Sequence, residues 1–307
     1  MKMASGPFAR RYFDTLHPLT LLCYFVYALI PAMIVSHPVL QTAAVMCGML
    51  LLFAVTGFRA ARTTLLFCIP AAAFCMLINA LFTHRGITVL FYFPSGNPCT
   101  LESLLSGLSL GMTLLSAMLF FAVLSRVMTT EKIVCLFGSV SPALALVLSM
   151  SLRFLPHYRQ RMSDISAAKA GIAPTALLPQ EGRRGLSSLK SAAAKAKDGL
   201  GLFSALFAVS TEESLAAADS MRARGYGCGI SRTAYSVYTV TQRDVLIRTV
   251  LLVCAVPTLY SLCADALSWE YYPYLHGTQD TFSVMLTVCF YSVGILMPVI
   301  LSNHNHA

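Results

Sequence analysis

Six apolar runs dominate this chain, at residues 19–35, 39–56, 64–82, 103–125, 245–264 and 282–301. Each is 17 to 23 residues long, and none carries Asp, Glu, Lys or Arg well inside it. A helix needs roughly 20 apolar residues, within a range of about 17–25, to cross the hydrocarbon core of a bilayer. Runs of this length and purity leave few folds open, because in lipid every backbone N–H and C=O must be satisfied within the protein. The expected fold class is therefore an all-α integral membrane protein with about six transmembrane helices. Composition agrees: 57% of the 307 residues are hydrophobic and 11% are charged, against about 25% charged in soluble domains.

Pro31, Pro70, Pro257 and Pro298 lie within or near the ends of these runs, where neighbouring helices can satisfy the freed backbone groups. Lys2, Arg10 and Arg11 precede the first run, which resembles a signal peptide. It lacks a small-x-small cleavage site and is followed by further spans, so it is expected to be the first retained helix.

Orientation follows from the distribution of bases, which accumulate on the cytoplasmic side. With the N-terminus inside, residues 36–38, 83–102 and 265–281 face outward, and together they hold one base, Arg85, of 22 Lys and Arg. The last outer loop instead carries Asp265, Glu270 and Asp280, with Trp269, Tyr271, Tyr272 and Tyr274 suited to headgroup depth. Both termini are expected to be cytoplasmic. This topology also accounts for the net charge of +9 without a nucleic-acid partner.

Three regions result: an N-terminal bundle of four spans at 1–125, an insert at 126–244 that holds most of the bases, and a C-terminal pair of spans at 245–307. Two apolar stretches interrupt the insert, at 140–152 and 200–209, each too short to cross alone. Such segments suit interfacial or buried helices, so the insert is expected to lie against the cytoplasmic face of the membrane. Lys190, Lys195 and Lys197 could meet anionic lipid there or form a solvated helix face.

Within the insert, two helical patterns end on bases. The first starts near Pro142, bends at Pro156 and runs to Ala168-Lys169-Ala170-Gly171. The second is expected from about Leu200 to Gly225 and ends in Thr211–Gly227, TEESLAAADSMRARGYG. Its acids come early, at Glu212 and Glu213, and its bases late, at Arg222 and Arg224, as the helix macrodipole favours. Gly225 suits a left-handed C-cap. By pattern alone, each basic tip reads equally as a dipole-complementing cation or as a knob that docks on carboxylates of a partner.

Other motifs carry little. Intramembrane ionisable groups usually mark proton relays and substrate paths, and the runs have none well inside. Asn79 is the most polar intramembrane side chain and is expected to tie helices by hydrogen bonding. Gly225-Tyr226-Gly227-Cys228-Gly229 closes a helix, whereas phosphate loops open one. His304-x-His306 lies in the C-terminal tail. The ten cysteines contain no C-x-x-C pair, and a disulfide between Cys99 and Cys263 is left open. No nucleophile–base pair, metal motif or carboxylate dyad is recognisable, so the chain reads as non-catalytic, with no cofactor and no metal site.

Several segments, taken in order, resemble the transmembrane T components of energy-coupling factor (ECF) transporters, the EcfT/CbiQ family. They are His17-Pro18-Leu19-Thr20, Asn79-Ala80-Leu81-Phe82 with Gly86, Arg126 with Thr129-Thr130, and Leu152-Arg153-Phe154-Leu155-Pro156. The most specific is Leu215-Ala216 followed by Met221-Arg222-Ala223-Arg224-Gly225-Tyr226, which looks like the family's Ala-Arg-Gly coupling signature. The resemblance implies a coupling subunit of an ABC importer for vitamins or transition-metal ions, in a bacterial or archaeal cell (inner) membrane. Two long cytoplasmic helices would insert their tips into two ABC-type ATPase subunits and support a small substrate-binding S component. Ala223, Arg224 and Gly225 would form one ATPase contact, and Ala168, Lys169, Ala170 and Gly171 the other, with Arg222, Arg153 and Pro156 supporting the helices.

The first signature departs from the family pattern. An arginine would precede the glycine, but Ala170 stands there and Lys169 comes one residue earlier. A lysine lacks the bidentate fork of arginine, so either the register shifts by one or the two ATPase contacts are unequal. The rival readings are a permease subunit of a conventional ABC importer and a non-transport membrane enzyme or interaction protein.

Overall fold

The computed structural model describes residues 8–83, 86–92, 98–172, 187–228, 238–264, 267–272, 276–277 and 280–304. Among them are ten helices and two short hairpins. By length and apolar composition six helical stretches can cross a membrane: Pro38–Thr56, Phe58–Asn79, Leu101–Val127, Gly199–Ala223, Gln242–Cys263 and Thr281–Ser302. The chain is a multi-pass membrane protein.

This set differs from the six sequence runs at two places. The helix over the first run, Pro18–Ile34, has 17 residues and falls just short. The stretch Gly199–Ala223 enters instead, with the lowest hydropathy of the six, and none of its 18-residue window is buried.

The chain divides into two units, residues 1–136 with 236–307, and residues 137–235. The first contains α1 (Phe8–Thr15), α2 (Pro18–Ile34), α3 (Pro38–Thr56), α4 (Phe58–Phe82) and α5 (Leu101–Val127). The next helix, α6 (Thr130–Val140), carries the chain out of this unit. Its core is aromatic and aliphatic, with Phe13, Leu51, Leu52, Leu119, Phe120, Tyr291 and Ile295 fully enclosed. Burying a phenol among apolar neighbours requires a hydrogen-bond partner, and here the tyrosines find main-chain carbonyls. Tyr24 donates to Ile295 O at 2.8 Å and Tyr291 to Ala28 O at 2.7 Å.

The α4–α5 pair packs closely, for a reason visible in the side chains. Gly107 and Gly111, one helical turn apart on α5, face α4 so that a Cβ would lie 2.8 Å from Met76 O and 3.0 Å from Ala72 O. Small residues at this spacing let helix backbones approach in lipid. Asn79 on α4 has its Oδ1 buried with no hydrogen-bond partner among the described residues. A side-chain link between helices runs from Gln41 Nε2 to Thr113 Oγ1, 2.9 Å, between α3 and α5.

The connections that follow α4 and precede α10 are not plain coil. In the first, β1 (Val89–Tyr92) pairs antiparallel with β2 (Pro98–Thr100), with Val89 opposite Thr100. Glu102, buried at the start of α5, accepts hydrogen bonds from the Thr88 amide and hydroxyl and pins this hairpin to the helix. The second unit holds α7 (Pro142–Ile172) and α8 (Ser187–Ala223). The chain then re-enters the first unit as α9 (Gln242–Cys263), β3 (Trp269–Glu270), β4 (His276–Gly277) and α10 (Thr281–His304). Trp269 lies opposite Gly277 in the second hairpin, where any Cβ would collide with the indole. Cys263 is a free thiol.

Candidate functional site

In the second unit both short apolar stretches are parts of longer helices. Residues 142–152 open the 31-residue α7, which runs continuously through Pro156, and 200–209 lie inside the 37-residue α8. The second helix thus begins at Ser187, well before the Leu200 that periodicity suggests. Residues 173–186 and the side chains at 187–198, including Lys190, Lys195 and Lys197, lie outside the described residues.

The two helices are joined through one carboxylate. Glu213 on α8 meets Arg161 Nη2 at 3.1 Å with one oxygen and His157 Nε2 at 3.4 Å with the other. Arg161 lies eleven residues before the end of α7, and Glu213 lies ten before the end of α8. At about 1.5 Å per residue, each helix projects roughly 15 Å beyond this junction. Charge pairs this exposed contribute about 0–1 kcal/mol, so the junction sets where the helices meet more than how tightly.

The end of α8 is a complete Schellman motif. Tyr226 N donates to Met221 O at 3.1 Å, and Gly225 N to Arg222 O at 2.9 Å. These two bonds satisfy helix carbonyls that would otherwise be orphaned. Gly225 has φ +79°, the left-handed conformation the motif needs at this position. The turn halts the helix at Ala223 and makes Arg224 the cap residue. Arg222 and Arg224 are both exposed, and neither has a carboxylate in ion-pair range among the described residues. Two guanidinium groups are therefore presented at a rigid helix end.

The end of α7 differs. The helix continues to Ile172, so Gly171 lies inside the last turn and does not form the cap. Ala168 and Gly171 are exposed, and nothing lies within 4 Å of a Cβ built on Gly171. The side chains of Lys169 and Ala170 lie outside the described residues. Arg153 and Pro156 are exposed on the same helix. Of the candidate residues, the structure thus gathers Arg222, Ala223, Arg224 and Gly225 into one defined turn.

Two features had no clear signal in the sequence. Glu212 and Glu213 read alike as helix-dipole acids, yet it is Glu213 that pairs with Arg161 and His157 of α7. Large apolar side chains on α7 and α8, namely Leu144, Val147, Leu200, Phe203 and Phe207, remain exposed. The run of apolar residues is legible there, but not that these side chains stay exposed among the described residues. Unpartnered apolar surface on this scale marks an interaction site or a membrane contact.

Among the described residues no group of three or more His, Cys, Asp or Glu is placed to hold a metal ion. His306 lies outside the described residues. No family model matches this chain, and no curated protein matches its sequence.

Proposed function

We propose that this chain is the non-catalytic transmembrane coupling subunit of an ECF-type ABC importer, taking up a vitamin or a transition-metal ion. In this reading the bundle of α2–α5, α9 and α10 is the anchor in a bacterial or archaeal cell membrane, with both termini cytoplasmic. The helices α7 and α8 lie on the cytoplasmic side. The observation that carries the reading is the pair of long helices joined at Glu213, each extending a similar distance beyond the junction, one ending in an exposed, Schellman-capped Arg224.

A tip of that kind can dock on carboxylates of an ABC-type ATPase, because a charge-assisted bond is worth about 1.5–3 kcal/mol. The α7 end, with Lys169 as its base, serves a second ATPase subunit and binds it less strongly. The exposed apolar faces of the same helices form the surface under a small membrane S component. Closure of the ATPases on ATP moves the tips, and the rigid helices carry that motion to the S component. Although Gly199–Ala223 is long enough to span, Glu212, Glu213, Asp219 and Arg222 lie along it. Centrally placed charges in hydrocarbon cost several kcal/mol, which favours its lying outside the bilayer core.

The test is co-purification of the full-length chain with its cellular partners, for wild type and Arg224→Glu. Wild type is expected to retain two ATPase subunits and a small membrane protein. Arg224→Glu is expected to lose an ATPase while inserting normally. Full assembly by the charge-reversed variant would overturn the coupling role of this tip.

A further inference from the structure

A groove of about 310 Å³ runs along the outside of the membrane bundle between α2 and α9. Its walls are apolar: Val26 and Ile30 from α2, and Leu252, Ala255 and Leu259 from α9. All but Ala255 are among the exposed large hydrophobics of the chain, and in a bilayer they face lipid.

One end of the groove is closed by a charge, Arg248. Its side chain is held from behind. Nε donates to Thr20 Oγ1 at 2.8 Å, and Nη2 lies 3.4 Å from His17 Nδ1. A guanidinium has five N–H donors, so these contacts orient the fork while leaving the rest of it free. No carboxylate lies within ion-pair range of Arg248 among the described residues. The nearest acid along α9, Asp244, is occupied by two backbone amides, accepting from His17 N at 2.9 Å and Thr241 N at 3.0 Å. The N-terminal ends of α2 and α9 also meet here, and helix N-termini add positive potential. The groove therefore has an oriented cation, with no ion-pair partner among the described residues, at the head of an apolar track.

The dimensions fit one occupant. From Arg248 to Leu259 is eleven residues along α9, or about 16 Å. Half of a hydrocarbon core that is about 30 Å thick is close to this length. A single leaflet's acyl chain spans that distance, and a phospholipid phosphate supplies the anion that Arg248 lacks.

We propose that the α2–α9 groove binds one anionic phospholipid, its phosphate on Arg248 and one acyl chain along the track between the helices. The site needs only that this bundle stands in a bilayer, and it is independent of the coupling function proposed above. Thr20 and His17 act as positioning residues that aim the guanidinium.

The experiment is native mass spectrometry of the full-length chain after exchange into phosphatidylglycerol or phosphatidylcholine with identical acyl chains. Wild type is expected to keep one phosphatidylglycerol in clear preference to phosphatidylcholine. Arg248→Gln should lower that retention at least about tenfold, the loss of one charge-assisted bond. Ala255→Trp, which fills the groove and leaves the cation in place, should lower it as well. Equal retention of the two lipids by wild type would overturn the proposal, as would unchanged phosphatidylglycerol retention in the groove-filled variant. Displacement of the lipid by excess inorganic phosphate alone would assign the cation to a free anion and would also overturn it.

Discussion

Lys132 Nζ donates to the main-chain carbonyl of Phe13 at 2.8 Å, and the lysine is only 1% exposed. The same ammonium reaches Val127 O at 3.4 Å. Both carbonyls belong to the last turns of helices, α1 and α5, whose final C=O groups have no intrahelical partner. One cation thus caps two helix C-termini, where the macrodipole favours positive charge. Burial still pushes the ammonium pKa down, and the charge of Asp14 partly opposes this.

Removing that cap should be costly. Lys132→Met keeps the apolar stem but takes the ammonium away from the Phe13 carbonyl, while Val127 O keeps Thr129 N at 3.2 Å; a loss of this kind is worth about 1–3 kcal/mol. The variant is expected to lose about 1–3 kcal/mol of stability, read as a lower thermal midpoint in detergent. Lys132→Arg should recover part of it, because the charge survives while the geometry changes.

A second prediction concerns acid. His17 caps α2, accepting from Leu19 N at 3.2 Å with Nδ1. Its pKa is pushed down by burial first and then by the Arg248 charge, with Asp244 opposing. The folded state therefore binds its proton less readily than the unfolded chain does. Its contribution to stability is complete above the ordinary histidine value of about 6.5. It falls as pH drops from there toward the folded pKa. Stability measured from pH 7.5 to 5 should decline, and His17→Asn, which keeps an N-cap acceptor, should flatten the slope.

The close approach of α4 and α5 gives a third. Gly107→Leu would place a side chain where Met76 O lies 2.8 Å from the first added carbon. Backbone cannot yield as a flexible side chain can, so the helices must part. Overpacking typically costs about 1–3 kcal/mol, and Gly107→Ala should cost less than Gly107→Leu. Thermal midpoints of the two variants in the same detergent check the order.

At the end of α8, Gly225→Ala forces an L-residue into φ +79°. The expected penalty is about 1 kcal/mol, smaller for Gly225→Asn, which tolerates this conformation. Because Tyr226 N bonds Met221 O across the turn, its amide should exchange faster in the alanine variant. An unchanged exchange rate would contradict the Schellman assignment.

The Glu213 junction should behave differently from a stabilising core contact. Glu213→Gln is expected to change stability by less than about 0.5 kcal/mol, as befits an exposed pair. Spin labels placed at Ala168 and Ala223 should nonetheless report a broader distance distribution between the helix ends. A clear fall in stability with no broadening would mean that Glu213 holds the unit together and does not set its geometry.

Much of this molecule was already determined by sequence periodicity and charge. Uncharged runs of spanning length dictate membrane helices, because no other local structure satisfies the backbone in hydrocarbon. The order of acids, bases and Gly225 dictates where α8 stops, since capping is a local interaction within a few residues. The extent of α7 and α8 was less legible, as the alanine-rich segment after Ser187 has helical propensity but no apolar stripe to announce it.

What only the tertiary structure decided are the relationships between residues far apart in the chain. Lys132 looks like one base among many in the insert, until folding sets it between the ends of α1 and α5. Arg248 looks like a base at the edge of a span, until α2 supplies Thr20 and His17 behind it and an apolar track in front. Glu213 differs from Glu212 only by the helix face that meets α7. Asn79 and Gln41 both have the chemistry of an interhelical tie, yet it is Gln41 Nε2 that meets Thr113 while Asn79 Oδ1 is left without a partner among the described residues. The reason is common to all four: local pattern sets the backbone, but whether a polar group is satisfied depends on which distant helix packs beside it.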